Sequence, residues 1–229
     1  MIKAILFDFN GVIINDEPLQ MKAYQEIFKE EGIDLNQEQY LSCTGMNDDI
    51  FIKHNFKRAD KTISDEKADE LSAKKTIAWR AMIDKNLPIF DGVENFIKKA
   101  EREFSLGIVS MAKREEIEYV LQKAGLKDSF SVIITSEDTT TCKPNPECYI
   151  KGFQAIDKAR IESGKHPIKR NDCLVIEDVP QGIEAGKQAG MKVLAVTNTF
   201  DEATLREANA DVVTKTLADW MPESIRRVF

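Results

Sequence analysis

Three features of this 229-residue chain predict an α/β fold, a Rossmann-like parallel sheet covered by helices and carrying an inserted all-helical segment. Short apolar runs recur along the sequence, segments of helical periodicity separate most of them, and one long interval is helical with no convincing strand. A chain of this length can bury a sizeable apolar core without staples, either as one domain or as a core with a smaller insertion.

The first apolar run, residues 2–9, is broken only by Lys3 and Asp8 and is followed by Asn10-Gly11. It reads as a buried strand ending at a turn. From about Asn15 to Asn86 the pattern is helical. Leu19, Ala23, Tyr24, Ile27 and Phe28 share one face of a helix that Pro18 can open and Gly32 can close. Leu71, Ile77, Ala78, Met82 and Ile83 predict a second amphipathic helix, and Asn86-Leu87-Pro88 reads as the return linker. The expected division is therefore a core of residues 1–14 and 87–229 and a cap of residues 15–86. Further apolar runs at 106–109, 132–135, 174–176, 193–196 and 212–213 predict the remaining strands. Ile117, Val120, Leu121 and Ala124 before Gly125, and Ile183, Ala185 and Ala189 before Gly190, predict helices closed by left-handed glycines. Strands alternating with helices in this way imply right-handed crossovers and a parallel sheet.

Composition narrows the function. With 39 acidic against 32 basic residues the formal charge is -7, and the signs are mixed along the chain, so nucleic acid and anionic membrane are poor partners. Cys43, Cys142, Cys148 and Cys173 show neither CxxC spacing nor the density of a disulfide framework and are expected to be reduced thiols. No stretch approaches a membrane span and the start lacks signal-peptide character, which reads as a cytoplasmic protein. His54 and His166 lack companions at metal-ligand spacing and are expected at the surface; Trp79 and Trp220 are expected as packing anchors. Gly182, Gly186 and Gly190 are expected to allow close helix-sheet packing.

In an open parallel sheet, ligands bind beyond the carboxyl ends of the strands. The polar residues that follow the apolar runs are Asp8 and Asn10, then Ser110, then Lys143 in a polar stretch, then Glu177-Asp178. Alone, each has an ordinary alternative: a strand-terminal Asp is commonly a turn or cap residue, and Lys143 a solvated charge. Taken in order, carboxylates, a lysine, a hydroxyl and a turn with backbone amides suit a divalent cation and a phosphate.

These residues also carry a family resemblance. Phe7-Asp8-Phe9-Asn10-Gly11-Val12-Ile13 resembles the first motif of the haloacid dehalogenase superfamily. Ser110 resembles the second motif, Lys143-Pro144-Asn145-Pro146-Glu147 the third, and the segment from Ile176-Glu177-Asp178 to Gly186 the fourth. The last two are similar to the β-phosphoglucomutase-like branch, whose helical cap also lies between the first two motifs. The resemblance implies an Mg²⁺-dependent enzyme in which Asp8 takes phosphate from a small phosphorylated metabolite. It implies a metal shell of the Asp8 and Asp178 carboxylates and the Asn10 carbonyl, with Glu177 acting through a water. Lys143 would balance charge, and Ser110 with amides near Gly11 and Met111 would hold phosphate. Lys113 would either reach a second phosphate or simply open the next helix. In the cap, Gln20, Thr44, Asn47 and Asp48 would meet the substrate, and the chain would be a monomer or weak dimer.

One departure stands out. Asn10 occupies the position where this family usually has the aspartate that protonates the leaving oxygen and later activates water, and an amide cannot exchange a proton at neutral pH. Gln20 and Asp48 replace a histidine and an arginine expected in β-phosphoglucomutase, and a carboxylate at 48 should repel a second phosphate. The leading expectation is thus a phosphatase. The alternative is a degenerate member that binds Mg²⁺ and a phosphorylated ligand with little turnover; a mutase is less expected, as is a dehalogenase, which would not need the Glu177-Asp178 pair.

Overall fold

The computed structural model describes residues 1–229, which divide into two compact units, Met1–Asn15 with Ile89–Phe229 and Asp16–Pro88. The chain opens with β1 (Ala4–Phe7), wholly buried, and then enters the helical unit. That unit contains α1 (Glu17–Glu30), α2 (Gln37–Leu41), α3 (Asp48–Arg58) and α4 (Asp65–Ile83). Pro18 lies in the first turn of α1, where its missing N–H costs nothing. Asn36, Asn47 and Ser64 cap the other three by accepting an N–H from the first turn.

The apolar centre of this unit is aromatic. Phe51 stands with its ring centroid 4.2 Å from Tyr24 and 6.1 Å from Phe28, and Leu71 and Ala68 of α4 close the cluster. Each such ring contributes about 1.5–3 kcal/mol by leaving water. On α4 the inward stripe is Ala68, Leu71, Ser72, Lys75, Thr76, Trp79 and Ile83. Ile77, expected on the apolar face, is 70% exposed instead. It sits across the helix from Trp79, whose buried indole fixes which side turns inward by donating to Asp16 Oδ2 at 2.8 Å. Trp220, also expected as an anchor, is only half-buried and lies against Phe229 near the end of the chain.

The other unit resumes with α5 (Val93–Ala100), β2 (Ser105–Val109), α6 (Arg114–Lys123), β3 (Val132–Ile134) and α7 (Glu147–Glu162). It ends with β4 (Cys173–Glu177), α8 (Pro180–Gln188), β5 (Lys192–Val196), α9 (Glu202–Glu207), β6 (Val212–Thr214) and α10 (Pro222–Val228). All six strands are parallel, in the order β3-β2-β1-β4-β5-β6. The central strands β1, β2 and β4 are buried along their whole length, as strands covered on both faces must be, whereas β3 and β6 at the edges are half-buried. Phe7 anchors this unit, with Phe96 and Phe130 packed edge-on at 6.1 and 5.7 Å. No helix is long and apolar enough to cross a membrane.

This strand order reverses direction between β1 and β4, the place where open α/β sheets leave a crevice beyond their carboxyl ends. In register, Phe7 lies opposite Ile176 on one side and Ile108 on the other. The residues that follow Phe7 and Ile176 are Asp8 and Glu177. Neighbouring parallel strands therefore end with acidic side chains level with each other.

Candidate active site

Asp8 leaves β1 with its backbone N–H bound to Ile176 O at 2.9 Å, which ties its position to β4. Its carboxylate and those of Glu177 and Asp178 are all buried, and one oxygen from each lies within 4.8 Å of the others. Lys143 Nζ stands 3.0 Å from Asp8 Oδ1 and 2.6 Å from Glu177 Oε1, and also reaches Val109 O at 3.4 Å. The Asp8 contact is one of charge, since Asp8 Oδ1 accepts no aligned hydrogen bond.

Charge in this cluster is unbalanced. Burial alone would lower the Lys143 pKa, but the Asp8 and Glu177 carboxylates outweigh it and hold the ammonium well above the usual lysine range. Glu177 is pushed up to about 6 by burial, against the pull of Lys143, with Asp8 adding to the rise. Lys143 is thus a cation at neutral pH and Glu177 its anion. Three carboxylates against one ammonium leave two negative charges with little water, which suits a divalent, oxygen-seeking cation. The donors are oxygens, with no thiol or imidazole among the three acids, which fits Mg²⁺.

Surrounding groups fix these side chains. Tyr149, fully buried in the first turn of α7, donates its hydroxyl to Glu177 Oε1 at 2.6 Å. Glu177 Oε2 accepts the Asp178 N–H at 3.2 Å, so both its oxygens are engaged by the protein. Thr199 Oγ1 donates to Asp178 Oδ2 at 2.5 Å, and Asn198 Nδ2 donates to Gly11 O at 2.7 Å. Tyr149, Asn198 and Thr199 were not among the residues expected from sequence. The rule that found Ser110 would have found the last two, because they follow the apolar run of β5 as Ser110 follows that of β2.

The glycines near the acids are required by space. Gly11 has φ +71°, and a Cβ there would stand 1.9 Å from Asp178 Oδ2. A Cβ on Gly182 would meet Glu177 Oε1 at the same 1.9 Å, so the first turns of α8 can approach the sheet only without one. Gly11→Ala is expected to combine left-handed strain of about 1–3 kcal/mol with displacement of Asp178. A lowered melting temperature together with weakened Mg²⁺ binding would show it; unchanged melting and binding would mean the turn can rearrange.

Other expected residues have definite local places. Ser110 is buried just beyond β2 with its hydroxyl accepting from Ala112 N at 3.2 Å, and Met111 beside it is buried as well. The Gly11 N–H donates to Ile14 O at 2.9 Å, so this amide is already used within the turn. Asn10 is half-buried in the same turn, and half-buried Lys113 precedes α6 as its N-terminal flanking residue.

Within the helical unit, Gln20 Nε2 donates to Asp16 Oδ2 at 3.0 Å, Thr44 Oγ1 donates to Leu41 O at 3.0 Å, and Asn47 caps α3. Asp48 corrects one expectation. It is not a lone carboxylate, because buried Lys75 stands 3.1 Å away and Tyr24 and Ser72 donate hydroxyls to it at 2.5 and 2.7 Å. The anion that sequence set against a second phosphate is neutralised by a partner one helix away.

Comparison with known proteins decides the family, since the model of the haloacid dehalogenase-like hydrolases matches residues 5–196. The chain belongs to the haloacid dehalogenase-like hydrolases. Among relatives of this hydrolase, validoxylamine A 7'-phosphate phosphatase of Streptomyces hygroscopicus subsp. limoneus is 28% identical over 221 residues, covering 96% of each chain. Pyrophosphatase PpaX of Oceanobacillus iheyensis is 26% identical over 221 residues, covering 95% of this chain and 94% of its own. A crystal structure of β-phosphoglucomutase from Clostridium difficile shares the fold with TM-score 0.86 and 22% identity, covering 100% of this hydrolase and 97% of that chain.

Proposed function

We propose that this chain hydrolyses a small phosphorylated metabolite, with Mg²⁺ bound, by passing the phosphoryl group through Asp8. The observation that supports the reading is the cluster of Asp8, Glu177 and Asp178 within 4.8 Å, with Lys143 in contact with two of the three. Asp8, Asp178 and the Asn10 carbonyl would hold the cation directly. Glu177, whose oxygens are taken by Lys143, Tyr149 and the Asp178 amide, would act at one remove. When bound, the cation supplies charge compensation for the phosphoryl oxygens.

In the first half-reaction a carboxylate oxygen of Asp8 bonds to phosphorus in line as the bond to the leaving oxygen breaks. Lys143, 3.0 Å from Asp8 Oδ1, offsets negative charge between Asp8 and the incoming phosphate. Ser110, with its N–H-accepting oxygen and free hydroxyl proton, donates to a phosphoryl oxygen. Asn10 can donate a hydrogen bond to the leaving oxygen but supplies no proton. In the second half-reaction water attacks the aspartyl-phosphate, releasing phosphate and regenerating Asp8. Gln20, Thr44, Asn47 and Asp48 are retained as the cap groups that select the substrate.

Asn10 favours a second reading, a protein that binds the cation and ligand and turns over negligibly. A phosphate-release screen across metabolites with Mg²⁺, run on this chain and on Asn10→Asp, separates the two. Release by both supports the hydrolase; release by Asn10→Asp alone supports the binder; release by neither removes the hydrolase, and absence of Mg²⁺ binding by calorimetry as well removes the binder.

A further inference from the structure

A second charged concavity lies at the opposite end of the sheet. It is a cavity of about 310 Å³ at the amino ends of β1 and β2, bounded by residues 1–3 and 101–104 and by Arg160, Lys165 and Arg226. Its two carboxylates are already neutralised: Glu103 pairs with Arg226 at 2.9 Å and Glu101 with Lys98 at 3.6 Å. Lys3, Arg102, Arg160 and Lys165 also line it, and none has a carboxylate within ion-pair distance. In a chain of net charge -7, four uncompensated cations around one cavity form a local field opposite to that of the protein as a whole.

Arg160 is the fixed member of this set. Its Nη1 donates to Ser105 Oγ at 2.9 Å and Lys3 O at 3.4 Å, and its Nη2 to His166 O at 3.5 Å. All three acceptors are uncharged. The half-buried guanidinium is therefore positioned while its charge is left unanswered, a cost that an anion would relieve. The C-termini of α5 and α7 point toward this end and favour cations there, but their terminal carbonyls already accept backbone N–H groups from Glu101, Ser163 and Lys165. Lys3, Arg102 and Lys165 are exposed, and their long side chains leave the charged ends accessible to a ligand.

We propose that this cavity binds a small polyanion, a molecule carrying two or more phosphate or carboxylate groups, at a site remote from Asp8. The volume suits a compact metabolite, at the lower end of the range for small-molecule sites. The site does not depend on the hydrolase reading, and either can fail without the other.

Isothermal titration of the full chain with sodium tripolyphosphate, in Mg²⁺-free buffer at near-physiological salt, tests it. The expected result is saturable binding that weakens by at least about tenfold in the double variant Arg102→Glu/Lys165→Glu and is unchanged in Ser110→Ala. Both altered cations are exposed, so the variant should fold, and circular dichroism melting checks that it does. Hydrogen exchange should slow over residues 101–105 and 160–168 when tripolyphosphate is present. Parallel titration with citrate shows whether carboxylates serve as well as phosphates, either result being consistent with the site. Equal affinity in the folded double variant, loss in Ser110→Ala instead, or no binding of either anion overturns the proposal.

Discussion

Asp8→Asn is expected to reduce phosphate release by well over about 10³-fold, because an amide oxygen does not attack phosphorus and no other group takes its place. The same change should leave the metal-free fold intact. Asp8 ends a strand beside two other buried carboxylates, and Lys143 keeps Glu177 as a partner at 2.6 Å after the charge at Asp8 is gone. The melting temperature without metal should therefore hold or rise, as it does when charge crowding at a functional site is relieved. Apparent Mg²⁺ affinity should fall through the loss of one anionic ligand. More than a trace of turnover would remove Asp8 as nucleophile, and a large melting loss would mark it as structural.

Asn10→Asp is expected to act in the opposite direction. General acid-base catalysis is typically worth roughly 10²- to 10⁴-fold, so restoring a carboxyl should speed turnover on that scale where the leaving oxygen needs a proton. Alkyl phosphates should gain most. Acyl phosphates, anhydrides and activated aryl phosphates leave as stable anions, so with Asn10 in place they should still transfer to Asp8. Water must then attack without a carboxylate base, and the phosphoenzyme should accumulate. Rapid-quench or intact-mass measurement with an activated phosphate reads this directly. If no phosphoenzyme forms and Asn10→Asp changes neither rate nor substrate preference, the role given to position 10 is wrong.

The sheet was legible because buried parallel strands appear as nearly uninterrupted apolar runs, as in Ala4–Phe7 and Cys173–Glu177. Polar residues directly beyond them could then be listed as neighbours without knowing the strand order. That order, which puts Asp8 beside Glu177, is a property of crossovers and left no local trace. Lys75 escaped notice for a related reason: it sits 27 positions from Asp48 and reads as one more surface lysine until α3 and α4 pack. Tyr149 is a core aromatic by its burial, and only its hydroxyl belongs to the site, which the sequence does not reveal. Ile77 misled because a helix rich in mixed residues offers two plausible apolar stripes, and only tertiary packing around Trp79 selects between them.

The 1.9 Å separation between a notional Cβ on Gly182 and Glu177 Oε1 makes those two positions a single heritable unit. A lineage that lost the long acid could fill the vacated space with alanine or serine at 182, and would then be barred from regaining the acid in one step. Reversal would have to return glycine to 182 before the acid returned to 177, so the order of the two changes is fixed. For protein engineers the same constraint is a design rule: residue 182 can be varied only where residue 177 has first been shortened.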